Sequence, residues 1–73
     1  MFSIKVPNLE VARLVLLHLN ELGFKYVKIS ENVVTMTFVT IREIDGLLTI
    51  FQKKKSITAK QLENIVSSLE ARC

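Results

Sequence analysis

The stretch Ile41 to Lys55, IREIDGLLTIFQKKK, supports two incompatible readings, and the fold depends on which one holds. As a helix it has Thr40 as N-cap with Glu43 three residues on, a capping box, and Ile41, Ile44, Leu47, Leu48 and Phe51 fall on one face. As a hairpin it has Asp45-Gly46, a favoured two-residue turn, between VTIREI and LLTIFQ. Gly46 in a helix interior costs about 1 kcal/mol relative to Ala, which is the main objection to the helix. The capping box and the single apolar face favour it, and the helix is the expectation taken forward.

Working outward, Phe2-Ser3-Ile4-Lys5-Val6 alternates with period two and predicts a strand that turns Phe2, Ile4 and Val6 inward. Pro7 stops it. Asn8 then caps an amphipathic helix running to Gly23, with Glu10 in its first turn. At roughly 100° per residue, Val11, Ala12, Val15, Leu16, Leu19 and Leu22 share one face. Gly23 is the expected left-handed closing residue, and Phe24 can fold back onto the helix. Lys25 to Ser30 alternates again, with Tyr26, Lys28 and Ser30 outward. Across the short break Glu31-Asn32, Val33 to Thr40 predicts a strand with Val34, Met36 and Phe38 on one face. After a basic link that includes a short extended piece at Ser56-Ile57, Thr58 and Gln61 form a capping box. The helix behind it carries the stripe Leu62, Ile65, Val66, Leu69.

Assembled, this is a single α+β domain over residues 1–73, a two-layer sandwich with an antiparallel three-stranded sheet and helices on one face. The element order is β-α-β-β-α-α, or β-α-β-β-β-α if the hairpin reading holds. The open sheet face would carry Ser3, Lys5, Tyr26, Lys28, Thr35, Thr37 and Val39. The first order, over residues 1 to 53, resembles the first five elements of a ferredoxin-like fold, including small-ligand regulatory domains of the ACT type. Pro7-Asn8-Leu9 stands where those domains carry a glycine. Leu47 to Phe51 followed by Ser56 to Leu62 resembles the first two helices of a helix-turn-helix unit. The second order is similar to a double-stranded-RNA-binding domain, with Lys54, Lys55, Ala59 and Lys60 near its basic helix start.

Composition narrows the function. Apolar residues make up 49% of a chain of 73, low in Gly and Pro, so a folded domain with excess apolar surface is expected. One cysteine, Cys73, and one histidine, His18, leave no disulfide framework and no Cys/His metal cluster, so the expectation is a reducing, cytoplasmic setting without a cofactor. No signal peptide or membrane span is read in the sequence. His18, Glu43 and Asp45 are read as boundary, cap and turn residues, and no nucleophile–base pair or phosphate loop stands out, so a non-enzyme is expected.

Two surfaces remain. Leu14 and Leu17 on the first helix, with Ile50 and Val39, lie off the expected core faces. They point to a small protein-interaction module, a regulator or inhibitor that binds a partner protein or forms a homodimer. Alternatively, Lys53, Lys54, Lys55 and Lys60, with Lys5, Lys28 and Tyr26 on the open sheet face, point to nucleic acid, an anionic partner suited to a net charge of +3. An ACT-like small-ligand domain is a third reading, and a small-molecule ligand is not expected.

Overall fold

Ile41 to Gln52 is a hairpin. The computed structural model describes residues 1–72 and places, in chain order, β1 (Phe2–Lys5), α1 (Leu9–Glu21), β2 (Val27–Ser30), β3 (Val33–Met36), β4 (Thr40–Ile44), β5 (Leu47–Gln52), β6 (Lys55–Thr58) and α2 (Ala59–Glu70). Cys73, on which part of the expected reducing setting rests, lies outside the described residues. The α+β class stands. The helix expected over Ile41–Lys53 does not form, and the ferredoxin-like order β-α-β-β-α-α goes with it. The observed order is that of the hairpin reading with further strands, arranged as two three-stranded antiparallel sheets, β1-β3-β2 and β4-β5-β6.

The turn and the third strand explain why the hairpin prevails. Asp45 (φ 52°) and Gly46 (φ 79°) both take positive φ, as a type I′ turn requires, and they join Ile44 to its partner Leu47. The extended piece at Ser56-Ile57 is a full strand, Lys55–Thr58, paired from Thr49↔Thr58 to Gln52↔Lys55. β5 is therefore central and hydrogen-bonded along both edges, which a helix over the same residues could not offer. Its side chains alternate so that Ile50 and Gln52 face inward beside Ile57.

The strand expected to run from Val33 to Thr40 stops at Met36. Phe38 takes φ 57° and is 79% exposed, so it leaves the inward face that Val34 and Met36 occupy. In the first sheet, Ser3, Thr35 and Lys28 form one outward row and Lys5, Val33 and Ser30 the next. The Ser3 and Thr35 hydroxyls meet at 3.0 Å.

Local capping fixes both helices as the sequence implies. Asn8 Oδ1 accepts from the Val11 amide at 2.9 Å at the start of α1. At its end Phe24 N–H donates to Leu19 O and Gly23 N–H to Asn20 O, a Schellman motif with Gly23 at φ 100°. The Thr58–Gln61 capping box opens α2 with both of its hydrogen bonds. α1 packs on β2 and β3, α2 on β5 and β6, and the helices pack against each other. Val11, Ala12, Val15, Leu19, Leu62, Val66 and Leu69 from the helices meet Val34, Met36, Ile50 and Ile57 from the strands in one hydrophobic cluster. Leu22, expected in that core, is exposed at the end of α1.

Candidate functional site: an aromatic and lysine-lined cavity

The site is built on Gln52, the last residue of β5, which is 6% exposed. Its Oε1 accepts from Lys25 N–H at 2.6 Å, and its Nε2 donates to Lys25 O at 2.6 Å and to Thr37 O at 3.2 Å. One side chain of the second sheet thus clamps the two segments that flank the end of the first, before β2 and after β3. Those segments also hold each other: the Thr37 amide (3.2 Å) and hydroxyl (2.9 Å) both donate to Tyr26 O.

The residues next to these clamps are the aromatic ones. Tyr26 (φ 59°) and Phe38 (φ 57°) both sit in the left-handed region, which disfavours any residue with a Cβ and is uncommon for bulky ones. Both point to solvent, Tyr26 56% and Phe38 79% exposed, and their rings meet edge to face with centroids 5.0 Å apart. With the backbone left-handed at both positions, the two aromatic rings lie at the surface rather than in the core. Strain that surrounding structure enforces clusters at binding sites.

Lysines complete the surroundings. Lys25, Lys53, Lys54 and Lys55, with Gly23, Gln52, Tyr26 and Phe38, line a cavity of about 340 Å³. Among the described residues none of these four lysines is held in an ion pair. Lys53 adopts φ 55° in the turn between β5 and β6. Lys55 crosses the end of α1: its Cε lies 2.7 Å and its Nζ 3.3 Å from where a Cβ on Gly23 would stand. Gly23 is required for its dihedral, whereas a Cβ there would only displace the flexible end of Lys55, whose ammonium rests at the negative end of the α1 dipole.

Of the residues expected to contact nucleic acid, Tyr26, Lys53, Lys54 and Lys55 come together in this cavity. Lys60, on the first turn of α2, and Lys5 and Lys28, on the outer face of the first sheet, do not line it. Lys25 and Phe38 are additions. The alternation predicts an ordinary strand from Lys25 and turns Phe38 inward on the next one. The available signal was the change of phase between the two halves: extending the Val34, Met36, Phe38 alternation would turn Thr40 and Arg42 inward, so a break had to fall between them.

The expected protein interface divides differently. Leu17 is 57% exposed on α1, as its place on the wheel implies, whereas Leu14 and Val39 are half-buried against the core. Ile50 is fully buried and is withdrawn as an interface residue, because β5 turns it inward against Ile57. The exposed apolar residues that helical reading hid are Ile44, Leu47 and Leu48 around the turn of the β4–β5 hairpin, and Ile41 farther along β4.

A second cavity, about 420 Å³, adjoins the first and is lined by His18, Leu22, Phe24, Lys55, Ser56, Ile57, Gln61, Asn64 and Ile65. Among the described residues no group of His, Cys, Asp and Glu is placed to hold a metal ion, and no helix is long and apolar enough to cross a membrane. No family model, curated protein or solved structure matches the chain.

Proposed function

We propose that the protein is a non-enzymatic binder of single-stranded nucleic acid, taking an unpaired base against Tyr26 and Phe38 and backbone phosphates on Lys25, Lys53 and Lys54. The observation that carries this reading is the juxtaposition of two exposed, edge-packed rings with lysines that lack ion pairs, around one cavity. Every base has a π-face, so stacking on aromatic side chains is tolerant of sequence, while the lysines supply the salt-sensitive part of the affinity. Duplex ends its usefulness here, because paired bases are not free to enter a cavity between side chains. Fluorescence anisotropy with a labelled 12-nucleotide single strand, DNA or RNA, tests it across about 50 to 200 mM salt. Binding is expected to weaken with salt, and Lys53→Ala with Lys54→Ala is expected to flatten the log–log slope by about 1.4, at roughly 0.7 per phosphate contact. Absence of binding at low salt, or an unchanged slope in the double variant, overturns the reading.

A second reading, interaction with a partner protein or a second copy of the chain, is favoured by the β4–β5 hairpin. Among the described residues β4 pairs only with β5, all of its residues are exposed, and Ile44 and Leu47 stand opposite each other beside the turn. Open edges with apolar side chains are where strands from other chains add. Light scattering after size exclusion is expected to show concentration-dependent dimer that Ile44→Glu abolishes. A strict monomer at high concentration removes self-association, and loss of dimer with Leu17→Glu instead moves the interface to α1.

A further inference from the structure

The two cavities share more than a border. Leu22 and Phe24 line one, Gly23 and Lys25 the other; Ser56 and Ile57 line one, Lys53 and Lys54 the other; Lys55 lines both. The same two chain segments, the end of α1 and the turn into β6, therefore form a partition with a concavity on each side and the Lys55 side chain along the top of it. Each concavity, at about 340 and 420 Å³, falls in the usual range of small-ligand sites.

Their linings differ in chemistry. The first offers ring faces and cations. The second is lined by the apolar Leu22, Phe24, Ile57 and Ile65 and by side chains that can both donate and accept hydrogen bonds, those of His18, Ser56 and Asn64. Gln61 also lines it, with its Oε1 committed to the Thr58 amide at 2.9 Å.

Building on the single-strand reading, we infer that the cavities are consecutive nucleotide subsites, with Lys55 holding the phosphate between them. The strand enters with one base on Tyr26 and Phe38, crosses the Gly23–Lys55 partition, and sets the next base against Leu22 and Ile65, the accessible apolar residues of the second lining, with its edge toward His18 and Asn64. The lysine placed on both linings is the group that a phosphodiester shared by both nucleotides would meet. Base preference then resides in the second subsite, since a site built to hydrogen-bond a base edge discriminates, whereas the aromatic subsite does not.

The test uses the intact chain and thymidine oligonucleotides of one, two, three and 12 nucleotides, each 5′-phosphorylated, titrated by NMR. Affinity is expected to rise about tenfold or more from one nucleotide to two and to level off at three, as stacking and contacts of one further base imply. Asn64→Ala is expected to remove most of that step. Asn64 is exposed on α2 and Ala is the better helix former, so the fold is not at risk. Binding of the 12-mer with no step between one and two nucleotides, or a step that Asn64→Ala leaves intact, overturns the two-subsite inference and leaves the single-strand reading standing. No binding of the 12-mer overturns both.

Discussion

Gln52→Leu is expected to destabilise the protein by about 2–4 kcal/mol, lowering its melting temperature by on the order of 10–20 °C. The side chain is buried at 6% exposure, and its loss leaves the Lys25 amide and the Lys25 and Thr37 carbonyls without their partners. These groups are part-buried, so water recovers some of the loss, which sets the range below the sum of three fully buried orphans. Leucine nearly conserves volume, so the change reports the hydrogen bonds rather than a cavity.

Gln52→Glu separates donor from acceptor. The introduced carboxylate can still accept from Lys25 N–H, but it faces two carbonyl oxygens to which the amide now donates. Only the protonated acid can donate to them, and burial also favours the neutral form; together these outweigh the pull of the cavity lysines, which are exposed and screened by solvent, so the folded state raises the pKa of this carboxyl above its unfolded value of about 4.3. The stabilising contribution is then fully present below about pH 4.3 and is lost as pH rises through the folded pKa. Relative to the parent, this variant is expected to be more stable at pH 4 than at pH 7, whereas Gln52→Leu has a deficit that does not change with pH. Thermal melts of the three proteins at both pH values check the ordering.

The second large effect is on binding. Replacing Tyr26 and Phe38 together is expected to weaken single-strand affinity by about 1–6 kcal/mol, the cost of one to two lost stacking contacts. Phe38→Gly is the informative single change. At φ 57° the phenylalanine carries backbone strain of roughly 1–2 kcal/mol that glycine does not, against an unfolded-state entropy cost of about 0.5–1 kcal/mol and a weak exposed ring contact. Stability is therefore expected to stay level or rise while affinity falls about 5- to 150-fold. A residue whose removal helps folding and harms binding is held there by binding. If Phe38→Gly melts well below the parent, the ring is structural and the assignment of this cavity loses its main support.

The legible parts of the fold were those governed by local rules. Asn8, the Gly23–Phe24 closure of α1 and the Thr58–Gln61 box follow from the hydrogen bonds that helix ends leave open, and the sequence carries the residues that answer them. The segment Ile41–Lys55 misled because its apolar residues satisfy both periods. What decided it was non-local: β6 pairs with β5 and makes it a central strand, a gain no window over residues 41–55 contains. The capping box of Thr40 and Glu43 has the same sequence form as the real one at Thr58 and Gln61, yet β4 leaves it unused.

The site was half legible for a related reason. Tyr26 and Lys53 to Lys55 were visible as an aromatic and a basic run, far apart in sequence. Their meeting depends on Gln52, a neutral residue that no motif marks, and on left-handed residues at Tyr26 and Phe38 that propensity disfavours. Phe38 in particular read as core because its alternation with Val34 and Met36 is regular up to the point where the chain leaves the sheet.

The most direct test is an amide chemical-shift titration of the intact protein with a 12-nucleotide thymidine strand. Perturbations are expected to concentrate at residues 23–26, 37–38 and 52–55, around the cavity that Tyr26, Phe38 and the lysines enclose. Shifts confined to Lys5 and Lys28 on the outer sheet face or to the β4–β5 hairpin, or no shifts at low salt, would contradict it.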